Sequence, residues 1–192
     1  MPGLSRGEKV NKSIPNAIER VLLDEETITA RVRELAAQIS ADYAGLDDLV
    51  LVGVLKGAFI FMADLARRLT VAHHVDFIAL SSYNRDAVST GAVRLIMDTR
   101  TSVTGRNVLV VEDILDTGHT LDYLVRTFRA RNPASLRTCV LISKPERRQV
   151  KVPIDYLGFE IPNEWVVGYG LDYADRFRTL PYIGVLKREV YE

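Results

Sequence analysis

Most of the features that would place a chain in a specialised class are missing from this sequence of 192 residues. It has one cysteine, three histidines and no surplus of either charge, with 25 basic and 25 acidic side chains. Cys139 cannot form an internal disulfide, and inside the apolar run Cys139-Val140-Leu141-Ile142 it reads as a buried, inert thiol. No apolar stretch approaches the roughly 20 residues that cross a bilayer. The segment Met1 to Asn11 is polar and mixed in charge, without the apolar centre of a secretory signal. A cytoplasmic protein with no membrane partner is therefore expected. Zero net charge argues against a broad nucleic-acid surface. His73 and His74 are adjacent, so their side chains diverge, and they read as surface residues at a helix-to-strand turn rather than a metal pair. No Gly-x-Gly-x-x-Gly follows the first strand, which removes support for a dinucleotide-binding oxidoreductase. There is no repeat, low-complexity tract or Pro/Gly/Ser-rich linker, so residues 1–192 are expected to form a single domain.

What remains is ordinary globular material, 47% apolar and 26% charged, enough for a core without staples. Asp24-Glu25-Glu26 opens a helix with Ile28, Val32, Leu35, Ala36 and Ile39 at helical spacing. Asp24 suits the cap, the two glutamates suit the positive end of the helix dipole, and Ala44-Gly45 marks the end. Leu49 to Leu55 is a continuous apolar run with β-branched content, too short for a typical helix, and reads as a strand covered on both faces. Lys56-Gly57 ends it, and Ala58 to Leu69 reads as a helix burying Phe61, Met62, Leu65 and Leu69. The alternation continues with strands at Val75–Leu80, Val93–Met97, Asn107–Val111 and Thr138–Ser143, and a further one at Ile154–Phe159. Between the third and fourth of these lies a helix carrying Leu121, Leu124, Val125 and Phe128, stopped by Asn132-Pro133. The class expected is α/β, a mostly parallel twisted sheet with helices on both faces. Ligands of such sheets bind at the carboxyl ends of the strands, so the loops after Leu55, Val111 and Ser143 are where chemistry should lie.

The richest of them is Val108-Leu109-Val110-Val111-Glu112-Asp113-Ile114-Leu115-Asp116-Thr117-Gly118-His119-Thr120. An apolar strand delivers two adjacent carboxylates, then a third, then a Thr/Gly turn that opens a helix. Glycine allows a tight turn and close backbone approach to a ligand. Amides at a helix N-terminus make an anion site to which threonine hydroxyls add donors. The upstream carboxylates cannot hold that anion, but they can accept hydrogen bonds from sugar hydroxyls. A phosphate cradle beside a diol receptor describes a ribose 5-phosphate.

This segment closely resembles the phosphoribosyl pyrophosphate signature of the type I phosphoribosyltransferases. The chain from about Glu26 to Ile183 resembles their hypoxanthine-guanine members. The resemblance implies the Rossmann-like fold of that family, with a small hood built from the terminal segments. It implies an enzyme that uses Mg2+ and joins a 6-oxopurine to the sugar of phosphoribosyl pyrophosphate, as a homodimer or homotetramer. It gives Glu112 and Asp113 the ribose hydroxyls and a place beside the metal, Asp116 the role of general acid/base near N7 of the purine, and Thr117, Gly118, His119 and Thr120 the 5′-phosphate. His119 takes a position where variable side chains are expected, so no catalysis is assigned to it. Lys56 and Gly57 become the pyrophosphate loop, in which the Lys-Gly peptide bond can be cis. Ser82 and Tyr83, in the polar loop Ser81 to Gly91, match the family's lid.

Lys144 matches the lysine that donates to the purine 6-oxo group; adenine, whose 6-amino group is itself a donor, would leave such a lysine unpaired. The run Gly158 to Tyr173 matches the base-binding segment, with Trp165 stacking on the purine and Val166 reading it through the backbone. Asp172 would help hold magnesium, and Arg178 would contact pyrophosphate through its fixed fork of donors. Two rival readings stay open: a nucleic-acid-binding regulator built on this fold, disfavoured by the neutral surface charge and the retained Asp116, Lys144 and Trp165, and a transferase that prefers xanthine.

Overall fold

The computed structural model describes residues 15–82 and 93–192. Tyr83 and most of the Ser81–Gly91 lid loop, like the segment Met1–Asn11, lie outside the described residues; Ser82 is the last residue of a strand. Among the described residues no helix is long and apolar enough to cross a membrane.

The chain begins with β1 (Ile18–Leu23) and α1 (Glu25–Asp42). Asp24 caps α1 as expected, its carboxylate accepting from the Thr27 amide at 2.8 Å. Then come β2 (Leu49–Leu55), α2 (Phe59–Ala66), β3 (His73–Ser82), β4 (Val93–Met97), β5 (Asn107–Leu115), α3 (His119–Arg129), β6 (Ser135–Ser143) and β7 (Tyr156–Glu160). Two short strands close the chain, β8 (Val166–Val167) and β9 (Ile183–Leu186).

The main sheet has the order β4-β3-β2-β5-β6-β7, parallel except for β4, which runs antiparallel along one edge. Alternation of side chains in the central strands sorts the core into two layers. Leu49 and Leu51 of β2, with Leu109 and Val111 of β5, pack beneath Ile28, Val32, Leu35 and Ile39 of α1 and Phe61, Met62 and Leu65 of α2. Val50, Val52, Val108 and Val110 face the other way, onto Leu121, Leu124, Val125 and Phe128 of α3. The second sheet, β1-β9-β8, is the expected hood, and its strands come from both ends of the chain.

Several boundaries differ from the sequence reading: β6 starts at Ser135 instead of Thr138, β7 spans Tyr156–Glu160 instead of Ile154–Phe159, and three further differences concern α2, β3 and β5. The second helix ends at Ala66, and Leu69 is only partly buried. The third strand starts at His73, with His74 exposed, so the histidine pair opens a strand instead of lying in a turn. Most consequential, β5 runs past Val111 to Leu115. Its pairing with β2 stops at Gly53↔Val111, but its pairing with β6 continues to Leu115↔Ser143, which keeps the backbone extended through the two acids.

Phe128 is fully buried in the α3 layer. Phe128→Ala should lower the stability of the protein by about 3–5 kcal/mol, read as a reduced midpoint in urea unfolding at unchanged slope.

Candidate active site

After β2 the chain crosses through α2 to β3 on one side; after β5 it crosses through α3 to β6 on the other. The carboxyl ends of these two adjacent strands are thus the topological switch point, where an open sheet leaves a crevice. Lys56 and Gly57 enter this crevice from β2, and the three acids enter from β5.

One peptide bond in the first loop is cis, and it is Leu55–Lys56, not Lys56–Gly57 as the resemblance suggested. Lys56 projects to the surface, where Nζ meets Asp175 Oδ1 at 3.0 Å. Gly57 sits against the Asp113 carboxylate so closely that a Cβ would fall on Oδ2. Only glycine lets the two strand ends approach in this way.

Glu112 and Asp113 are each 7% exposed. Burial pushes the Asp113 carboxyl up to about 6. Burial, reinforced by the negative charge of Asp113, pushes Glu112 well above the usual carboxylate range. Among the described residues Glu112 Oε2 has no hydrogen-bond donor. Two adjacent buried acids, one with an oxygen left free, are primed in such a crevice for a ligand carrying donors or positive charge.

Asp116 lies just beyond β5, partly exposed. Arg147 Nε is 2.6 Å from its Oδ1, but out of line for a directed hydrogen bond, so that oxygen keeps acceptor capacity. The Thr117 carbonyl accepts from the Gln149 and Val150 amides at 2.9 and 3.0 Å, which ties the turn to the segment after β6. Gly118 then adopts φ 96°, a conformation costly for any side chain. The helix α3 starts at His119 with no side-chain cap, so its first amides, around Thr120, are left for another acceptor. His119 turns aside to Gln149, Nε2 to Oε1 3.0 Å.

Asp116 lines a cleft of about 50 Å³ together with Lys144, Arg147, Asn163, Glu164 and Trp165. Lys144, 8% exposed, donates to the Glu164 carbonyl at 2.7 Å. Burial holds its ammonium below the usual lysine range. Trp165 is half exposed, while Val166 is buried in β8. A larger hollow of about 540 Å³ lies between α1 and the segment after α2, around Arg33, Ser40 and Arg68, and its lining contains none of the expected site residues. It is remote from the strand carboxyl ends, where this architecture places ligands, and is set aside as a site.

The third wall is the loop after β8. Arg178 reaches Asp172 Oδ1 at 2.7 Å, Asp175 Oδ1 at 3.0 Å and the Gly170 carbonyl at 2.9 Å. Asp175 also holds Lys56, so it links two loops and was missed in the sequence. Arg147 was missed too, as were Asp64 and Tyr169, joined by a hydrogen bond of 2.7 Å that fastens this loop to α2. No local pattern marks Asp175: Ala174, Asp175 and Phe177 all adopt positive φ without being glycine. The fold thus gathers Lys56, Gly57, Glu112, Asp113, Asp116 and Thr117–Thr120 at the switch point, with Lys144, Trp165 and Val166 on one flank and Asp172 and Arg178 on another.

A family model described as the phosphoribosyl transferase domain matches residues 21–174. The chain belongs to this family of transferases. Within it, the chain is 49% identical over 175 residues to the hypoxanthine-guanine phosphoribosyltransferase of Bacillus subtilis, covering 91% of this chain and 97% of that one. It is likewise 49% identical over 181 residues to the bifunctional protein TilS/HprT of Listeria innocua, covering 94% of this chain but only 28% of that longer protein. Among solved structures, a hypoxanthine phosphoribosyltransferase from Staphylococcus aureus superposes with a TM-score of 0.90 at 44% identity, covering 96% of this chain and 100% of that one.

The buried acids make a pH-dependent prediction. Asp113 binds its proton more tightly folded, near 6, than unfolded, near 3.8, so its contribution to stability is full below the lower value and is lost as pH rises through the upper one. In ligand-free, chelator-treated protein, Asp113→Asn should therefore match the parent near pH 4 and exceed it by roughly 1–3 kcal/mol near pH 7. Thermal unfolding across that range reads the difference, and a gap independent of pH would contradict the assignment.

Proposed function

We propose that this chain transfers the 5-phosphoribosyl group of phosphoribosyl pyrophosphate to hypoxanthine and/or guanine, yielding IMP or GMP and pyrophosphate. The reading extends to purine salvage in the cytoplasm, by a homodimer or homotetramer, with neither nucleic acid nor membrane as a partner. The observation that carries it is the meeting of three chemistries at one switch point. A buried acid pair and an uncapped helix start follow one another from the end of β5, and Asp116 between them lines a cleft walled by Lys144 and Trp165.

The 5′-phosphate would lie on the Thr117–Thr120 amides and hydroxyls, a natural anion cradle. Glu112 and Asp113, ionised on binding, would accept from the ribose hydroxyls, and the placement of Asp113 against Gly57 would fix the sugar relative to the pyrophosphate loop. Lys56 and Arg178 would supply donors to the leaving pyrophosphate, releasing Asp175 and Asp172 as they do so. The donor set also fits magnesium, which prefers hard oxygen ligands and keeps much of its water. Asp172 would hold it, with Glu112 and Asp113 close by; Glu112 Oε2, buried without a donor, is the oxygen that gains most from a cation. When bound, the metal supplies positive charge where pyrophosphate departs.

On the other flank Lys144 would leave the Glu164 carbonyl, or share it, to donate to the 6-oxo group. Trp165 would cover the flat face of the base, and the backbone at Val166 would read its edge. Asp116 would accept or return the purine proton at N7, using the oxygen that Arg147 does not fully engage.

Two measurements test the reading. Nucleotide formation should be seen with hypoxanthine or guanine and magnesium, be lost on chelation, and be absent with adenine; preference for xanthine would replace the proposed substrate. Asp116→Asn should lower kcat by about 10²–10⁴-fold with far less effect on the KM for phosphoribosyl pyrophosphate, and unchanged turnover would remove Asp116 from proton transfer.

A further inference from the structure

The chain has a single tryptophan, and it separates two hollows. On one side is the cleft shared with Asp116 and Lys144. On the other is a hollow of about 240 Å³ in the hood, whose lining includes Arg20, Arg188 and Tyr191 but neither Asp116 nor Lys144. Tyr191 stacks on Trp165 with ring centroids 5.3 Å apart and planes inclined by 30°, and Tyr173 meets the indole edge-on at 6.0 Å and 86°. Both geometries are favourable for aromatic pairs.

We infer that Tyr191 is a positioning residue for the base: its ring backs the indole of Trp165 and fixes the face that the purine meets. The inference rests on the proposed role of Trp165 as the stacking wall. Trp165 is 51% exposed, and Tyr173 touches only the edge of its ring, so Tyr191 is the neighbour that covers a face. The backbone of Trp165 is held, because the Leu186 amide donates to the Trp165 carbonyl at 2.8 Å, but that bond leaves both side-chain torsions free. Tyr191 is itself anchored. A 3-10 turn spans Arg188–Val190, the Tyr191 amide donates to the Arg188 carbonyl at 3.1 Å, and Val190 and Tyr191 pack on Ile18, Val167 and Leu186. A rigid hood strand thus ends in a ring that restrains the indole from behind. A wall fixed before the ligand arrives loses less freedom on binding than one that must be ordered by it.

Tyr191→Ala should raise the KM for the base about three- to tenfold, while kcat at saturating base and the KM for phosphoribosyl pyrophosphate stay within about twofold. Tyr191→Phe, which keeps the ring, should restore the parent values. Because Trp165 is the sole tryptophan, its emission reports the same event directly. GMP should quench it in the parent protein, and in Tyr191→Ala the unliganded emission should shift to the red and half-quenching should need several-fold more GMP. Circular dichroism checks that the variant is folded; should Tyr191→Ala not fold, Tyr191→Leu, which fills the space without a π face, serves in its place with the same expectation. Unchanged base KM and emission in the variant, an equal rise in both KM values, or failure of Tyr191→Phe to restore them would each overturn the role of Tyr191. Absence of quenching in the parent would instead remove Trp165 as the stacking wall, on which the inference stands.

Discussion

The contact between Gly57 and the Asp113 carboxylate governs the rest of the site. It seats the loop after β2 on the end of β5, where Asp113 and its neighbour Glu112 are both buried. A buried carboxylate pair with spare acceptor capacity is unfavourable in the isolated protein, and burial accordingly raises the proton affinity of both. Hydroxyl donors and positive charge would relieve that cost. Strain of this electrostatic kind is what a binding site stores, and the two-layered core around β2 and β5 is the rigid frame that keeps it from relaxing.

Around that contact the charges are pre-paired with one another. Lys56 and Arg178 hold Asp175 and Asp172, Lys144 holds the Glu164 carbonyl, and Arg147 lies against Asp116. Each cation proposed to meet ligand already has a protein acceptor: Lys56 at the surface, where ion pairs are worth little, Arg178 half-buried and Lys144 buried. Ligand binding then exchanges partners at small cost instead of desolvating free charges. The same exchange keeps the loops in register, since Asp175 links the loop after β2 to the loop after β8.

Much of this was legible in the sequence, for reasons tied to particular residues. Unbroken apolar runs such as Leu49–Leu55 can only be strands buried on both faces, and Leu121, Leu124, Val125 and Phe128 fix the inner face of α3. The acids and the Thr/Gly turn are contiguous, so their chemistry could be read in one window. What escaped detection is non-local or depends on the backbone. The extension of β5 to Leu115 follows from pairing with β6, which no local preference reveals. Asp175, Arg147 and the Asp64–Tyr169 bond act across loops far apart in sequence. The location of the cis bond before Lys56 has no side-chain signature. The hood strands are short, and β8 has two residues, too few for any periodicity to show.

The central claim is geometric, that the helix start after β5 receives a sugar phosphate while the acids just before it grip the sugar. A crystal structure with GMP bound decides it most directly. The account predicts phosphate oxygens on the Thr117–Thr120 amides, ribose hydroxyls on Glu112 and Asp113, and the base between Lys144 and Trp165. Phosphate bound elsewhere, with neither Glu112 nor Asp113 touching the ribose, would contradict it.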